Sequence, residues 1–392
     1  MKAGSSPVSG TSSVLSRSEA DSDTRKKKPY VKMFFMSTVS FDGVLDGQTS
    51  PSILSFHVIW KAKELPTSAE PSPDEIQYKD KLSTQRESLL EKLTEYAIGT
   101  QSNTVESVKR EAFQHLLNLH VLFSSSLTVD AEGLPLPTAS LPLTLEDEIQ
   151  YRCAGFVQAE IERYADIYAE HRPREDEESQ SERSDDNQAD PKEPSKQKRV
   201  ASESREPAAV SRSLLEQEYA FIDVMSTFLR AIRAGAIHVR HGATLLAHYG
   251  RLGPSFDICS RTIVDVLREE GMMKGNGELV ATVIIQALQE AFTLVLEGVV
   301  RDETNAVALA KLLLSCFVIR GSQLSIVRRL DGQYVVQVHS TLLTWITKRI
   351  AVYESNKNKS GLRSSITFFR VLLPLLGVIE SRDALKMSVY MS

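Results

Sequence analysis

The chain has 392 residues, 42% hydrophobic and 25% charged, which is enough apolar material for a sizeable core. Its formal net charge is −5 and its pI is near 6.0, so the whole-chain basic field that announces many nucleic-acid binders is excluded, while a local basic face is not. The three cysteines, Cys153, Cys259 and Cys316, are far apart, odd in number and set in apolar helical patterns. That points to buried reduced thiols, and to the cytosol or nucleus, in place of a disulfide framework.

Residues 1–29 combine Ser, Gly, Thr and charge with few large apolar side chains and read as a disordered tail with no signal-peptide core. They end in Arg25-Lys26-Lys27-Lys28, either a nuclear localisation signal or a solvated run of cations. From Tyr30 onward the pattern is helical. Residues 51–65 form an apolar segment that ends before Pro66, and residues 67–78, with Pro71 and Pro73, form a loop. Leu82, Leu89, Leu93 and Tyr96 then share a face, closed by Gly99 as a C′ residue. Asn103 or Thr104 caps the next helix, whose stripe is Val108, Ala112, Leu116, Leu119 and Phe123. After a Pro-rich turn over 134–142, Thr144 and Asp147 make a variant capping box. The helix that follows has its stripe at Cys153, Val157, Ile161, Tyr164 and Tyr168.

Residues 172–206 lose this pattern. Acidic residues dominate 174–190, prolines and Lys196, Lys198 and Arg199 follow, and aliphatic and aromatic residues are almost absent. This reads as a disordered linker or insertion, either a solvated spacer or a regulated acidic loop around Ser179, Ser181 and Ser184.

Beyond Pro207 the helical stripes resume. One is Leu215, Ile222, Met225, Leu229 and Ile232, and a short helix spans 237–249. Pro254 starts the next, with Phe256, Cys259, Ile263 and Val266 on one face and Gly271 at its end. The segment from Leu279 to Val299 is apolar on most sides and should be central. Asp302 caps a helix carrying Val307, Ala310, Leu314 and Phe317, and Asp331 precedes one carrying Val335, Val338, Leu342 and Trp345. A last segment over 363–379 presents Ile366, Phe369, Leu372 and Leu373 before Pro374. No apolar run reaches the ~18–20 residues of a membrane span. The nearest, Phe368 to Ile379, is short and interrupted by Arg370 and Pro374.

About eleven or twelve helices with scarce strand signals make an all-α chain. Helix pairs recurring at ~40-residue intervals fit a HEAT-like helical repeat solenoid, an α-α superhelix, with a disordered N-terminus and an acidic disordered insertion. The expected divisions are a tail over 1–29, N-terminal repeats over 30–171, a linker over 172–206 and C-terminal repeats over 207–392.

No catalytic or cofactor constellation stands out. His238 and His241 lie three apart, with His248 seven further on, and two such residues could share a helix face and hold a metal. No carboxylate or Cys lies at ligand spacing and Gly242 follows directly, so satisfied or exposed histidines are the better reading. Gly275-Asn276-Gly277 lacks a preceding strand and a Lys-Ser/Thr pair, so it reads as a turn between helices and not as a phosphate cradle. What remains is surface chemistry. Arg320, Arg328 and Arg329 cluster between two strong helices, Lys348 and Arg349 follow on the next, and Arg240 and Arg251 belong to a looser group upstream. Stacked helices could align these as a ridge that meets phosphates or an acidic partner; the competing reading is an ordinary solvated face.

Several segments carry a family resemblance by their order and wording. They are Arg251-Leu-Gly-Pro-Ser-Phe-Asp-Ile-Cys259 with Val264-Asp-Val-Leu-Arg-Glu-Glu270, then Gln286-Ala-Leu-Gln-Glu-Ala-Phe292, then Ala308-Leu-Ala-Lys311 leading to Phe317 and the Gly321-Ser-Gln323 turn. Upstream stands Val105-Glu-Ser-Val-Lys-Arg-Glu-Ala-Phe113. In these segments and in its acidic insertion the chain resembles the C-terminal helical region of stromal antigen (STAG) cohesin subunits in their fungal form. The resemblance implies a nuclear, non-enzymatic HEAT-repeat (armadillo-type) scaffold without cofactor, metal, membrane or small-molecule substrate. Its implied partners are the kleisin subunit and other cohesin components, DNA and chromatin, and loading and release factors, in sister chromatid cohesion and chromosome segregation during the cell cycle. The N-terminal half of that family, with its homology region, has no counterpart here. The alternative is another HEAT-repeat adaptor, of transport or phosphatase type, with no chromatin role.

Overall fold

A computed structural model describes residues 51–65, 71–100, 104–126, 129–171, 212–323 and 325–391. The expected tail over 1–29, the basic run at 25–28, the helical pattern over 30–50 and the acidic linker over 172–206 lie outside the described residues.

Local sequence sets most helix boundaries. Helix α1 spans Pro51–Ala62 and α2 spans Pro73–Ile98. Ser72 caps α2 in a reciprocal box with Glu75, with Pro73 at the first helical position where its missing N–H costs nothing. Gly99 ends α2 in an extended conformation and not the left-handed one expected. Helix α3 is Glu106–Leu122 and α4 is Asp147–His171. Val105, not Asn103 or Thr104, occupies the α3 cap, and α4 starts at Asp147 and not at Thr144. Helix α5 is Arg212–Arg233, α6 the single turn Ala243–Ala247, α7 Pro254–Met272 and α8 Gly277–Leu296. Gly271 lies inside α7; the residue that turns the chain is Gly275, at φ +76°. Asp302 accepts from Thr304 N–H ahead of α9, Thr304–Phe317, and Asp331 accepts from Gln333 N–H at the start of α10, Gly332–Ser355. Helices α11, Lys359–Leu376, and α12, Ser381–Met391, complete the described set.

One element departs from the all-helical expectation. Strands β1, Val318–Arg320, and β2, Ile326–Arg329, pair antiparallel with a bulge after Ile319. β-branched pairs at 318–319 and 326–327 flank Gly321-Ser322, which is a hairpin signal in miniature.

The packing is regular. Each odd-numbered helix touches the next odd one, from α1·α3 through α9·α11, and each even-numbered helix touches the next even one, from α2·α4 through α10·α12. Most consecutive helices also touch. Helices α3 and α4 both pack on α5, so the chains on either side of 172–211 share one core. Stacked rings mark that seam: Tyr164 on Phe221 at 4.2 Å and Phe221 on Phe256 at 5.8 Å join α4, α5 and α7. Charge crosses the core too. Glu160, almost fully buried, accepts from Arg110 at 2.8 Å and from Arg163 at 2.6 Å, clamping α3 to α4.

Helix α8 is the hub. It contacts α6, α7, α9, α10 and α11. By length and composition Gly277–Leu296 is apolar enough to cross a membrane, which corrects the expectation that no such run exists. In this fold its apolar residues, Val280, Val283, Ile284, Leu288 and Phe292 among them, are buried against neighbouring helices. The expected face of α5 is buried at Met225, Leu229 and Ile232 and half-buried at Ile222, while Leu215 is exposed and Phe221, Val224 and Phe228 widen the buried face.

Helix α11 differs most from its expected stripe. It continues through Pro374 to Leu376 and buries Phe368, Val371, Leu372 and Leu375, while Ile366, Phe369 and Leu373 face outward. A proline in the last turn forfeits one backbone bond near the helix end, and Leu375 packing beyond it outweighs that loss.

Candidate interaction surface

The seven cations that suggested a ridge fall at three separate places. The first is the hairpin. Arg320 is exposed at the end of β1. Arg328 donates to the Met272 carbonyl at 2.6 Å, satisfying an orphan acceptor at the C-terminus of α7. Arg329 is no free surface cation. Its guanidinium donates to Asp383 Oδ2 at 2.8 Å, to the Val378 carbonyl at 2.6 Å, and to Glu380. Asp383 is 1% exposed. The hairpin is thus riveted to the start of α12, and the ion pair is one partner deep in protein. An open cleft of about 440 Å³ lies beside this rivet, lined by Arg329 to Gly332, Glu380, Arg382 and Asp383. None of these side chains is a Ser, Cys, Lys or His nucleophile or base.

The second place is on α10. Lys348 and Arg349 are exposed, and Arg349 lies over the Trp345 ring at 5.7 Å. Sixteen residues separate Gly332 from Lys348, which at 1.5 Å per residue puts Lys348 about 24 Å along the helix from its hairpin end. That distance splits the expected cluster.

The third place surrounds the short helix α6. Arg240 pairs with Asp147 at 3.3 Å and donates to His241 Nε2 at 3.2 Å. Arg251 is half-buried and lies 2.9 Å from His248 Nδ1. A guanidinium only donates, so His248 Nδ1 accepts and the ring is neutral. The three histidines therefore have partners of their own: His238 Nδ1 accepts from Arg240 N–H at 3.3 Å. Burial and then the Arg240 charge hold His241 down to about 4. Burial and then the Arg251 charge hold His248 down to about 3.

His248 carries a pH prediction. Its folded pKa lies below the unfolded value, so the native state is favoured in full above pH ~6.5 and loses that advantage as pH falls toward 3. From pH 7 to pH 5 the unfolded chain gains about one proton at this position and the native chain almost none, a loss of about 2 kcal/mol. Urea unfolding at the two pH values should show a loss smaller by about that amount in His248→Gln. Equal losses in the two proteins would contradict the assignment.

Cys153, Cys259 and Cys316 are buried and unpaired. Burial pushes their thiols up to about 12, 11 and 12, which makes them poor nucleophiles. The Gly275–Gly277 turn joins α7 to α8, with Asn276 donating to Glu270 at 2.6 Å. Among the described residues no group of three or more His, Cys, Asp or Glu converges as a metal site.

Sequence reading passed over the acidic half of the Arg329 rivet, and it named Ile366, Phe369 and Leu373 on α11 without distinguishing them as a second, outward apolar face. The second had a signal: Ile366, Phe369, Leu373 and Leu376 are spaced three, four and three apart. No family model matches the chain, and no curated protein matches it in sequence.

Proposed function

We propose that this chain is a non-enzymatic scaffold with a HEAT-like solenoid architecture, working by binding other macromolecules, and that its setting is nuclear, as a cohesin subunit of the stromal antigen type. The observation that carries the scaffold reading is the double ladder of contacts, odd helix on odd and even on even. Stacking of this kind gives each helix pair only near neighbours and leaves long side surfaces for partners. The cohesin reading rests on the ordered segments between Val105 and Gln323 that resemble that family.

Its test is direct. The endogenously tagged chain should co-purify with a kleisin and fractionate with chromatin. The purified chain should bind a 30-base-pair duplex with an affinity that falls steeply with salt, and the Arg320→Glu, Lys348→Glu double variant should weaken that binding. Cytosolic residence without a kleisin would sink the cohesin reading. A second reading, a HEAT-repeat adaptor with no chromatin role, is favoured by one observation: the cations are dispersed and partly engaged, whereas α11 presents an apolar face. An adaptor would bind no duplex and would keep its protein partners when both cations are reversed.

A further inference from the structure

Helix α11 has more apolar side chains than its buried face uses. Phe368, Val371, Leu372 and Leu375 are inside, and the helix packs on α8, α9 and α10. Ile366, Phe369, Leu373 and Leu376 form a second face, 54%, 43%, 60% and 50% exposed. Single exposed apolar residues need no account, but four in helical register form a patch that does.

The rim of this patch is polarised. One edge runs into buried Ser365 and Leu372. The other carries Lys359, Arg363 and Arg370, and α11 contains no acidic residue. Lys359 and Arg363 are exposed and make no ion pair among the described residues. Arg370 binds Glu303 at 2.7 Å yet keeps 70% of its side chain in solvent.

We propose that this face of α11 docks an amphipathic helix of a partner protein, with apolar residues against Ile366, Phe369, Leu373 and Leu376 and carboxylates against Lys359 and Arg363. The inference does not depend on the cohesin reading. A helix fits because the patch has the three-and-four spacing of a helix-in-groove anchor set. Acid on the partner fits because the open rim offers Lys359 and Arg363, while Arg370 beside them is already met by Glu303. A second copy fits poorly, since α11 contains no acidic residue and an isologous pairing of this face on itself supplies no carboxylate from α11 to Lys359 or Arg363. A bilayer fits poorly because a helix lying in an interface is polar along both edges, whereas one edge here enters the core.

Two fluorescein-labelled synthetic helical peptides test this against the full chain by anisotropy. Both carry leucines at the same three-four-three spacing; one has glutamates at the flanking positions and the other lysines. The glutamate peptide should bind at least roughly tenfold more tightly than the lysine peptide, and more weakly as salt rises. The Phe369→Ala, Leu373→Ala double variant should lose roughly tenfold or more, and Arg363→Glu should narrow the preference for the glutamate peptide. All three positions are exposed, so the variants should melt like the parent. Binding of neither peptide, equal binding of both, or affinity unchanged in the double variant overturns the proposal. So does a dimer in light scattering that Leu373→Ala dissolves. Sedimentation with phosphatidylserine vesicles that the double variant abolishes, with no peptide binding, also overturns it.

Discussion

Phe292→Ala should lower the stability of the native chain by about 4 kcal/mol, more than truncation of any exposed ring. Phe292 is fully buried in the hub helix α8. Its ring meets Phe368 of α11 at 4.7 Å and Trp345 of α10 at 6.4 Å, and those two meet each other at 5.2 Å. The three rings therefore close a triangle among three helices. Deleting one removes its transfer free energy, leaves a cavity and breaks two edge-on aromatic contacts of about 0.5–1.5 kcal/mol each. For a chain of this size the melting temperature should fall by roughly 8 °C, at about 2 °C per kcal/mol. Phe369→Ala is the control, because Phe369 sits next to Phe368 in sequence but faces solvent. It should cost less than about 0.5 kcal/mol. Similar losses at 292 and 369 would mean that the buried and outward faces of α11 have been assigned wrongly.

Arg329→Met should cost about 3–4 kcal/mol, although arginine at this point of the sequence looks like an ordinary surface residue. The cost comes from what is left behind. Asp383, 1% exposed, loses the cation it faces at 2.8 Å, and an uncompensated carboxylate in protein is far more expensive than an absent one. The prediction therefore has a distinctive second half. The double variant Arg329→Met, Asp383→Leu should recover much of the loss, since neither charge is then stranded. Urea unfolding of the two single variants and the double variant gives the coupling directly. Additive single effects would show that the pair does not act as a unit. Hydrogen exchange adds a spatial check: amides of α12 and the hairpin should lose protection before those of α8.

These two positions also show how far the sequence could be read. Stripes with one buried face were legible: Ala112, Leu116 and Leu119 on α3 with Phe123 at its C-terminal cap, and Cys153, Val157, Ile161 and Tyr164 on α4, are all buried as their period requires. Helix α11 was not, because two apolar faces share one helix and period alone cannot say which is inside. On α5 the period placed Met225, Leu229 and Ile232 inside, and it failed at Leu215, which lies in the first turn and is exposed. The hairpin has strands of three and four residues, too short for alternation to register. The charge sites were least legible. Arg329 finds Asp383 54 positions along the chain, and Arg110 finds Glu160 50 positions along. Such pairings belong to the fold, and no local spacing announces them. Hence the cations, which the sequence left open as either one ridge or an ordinary solvated face, fall into a rivet, an exposed pair on α10 and a group engaged around α6.

The seam between α3, α4 and α5 has one more consequence. Tyr164 lies on Phe221, Gln114 donates to Asp223 at 2.8 Å, and Ser124 and Ser126 donate to the Ala234 carbonyl. All of these join residues before 172 to residues after 211. The two halves are thus held by their interface as well as by the covalent chain that joins them. A protease that cuts between them would leave a nicked but associated pair, and two separately expressed halves would be candidates for fragment complementation.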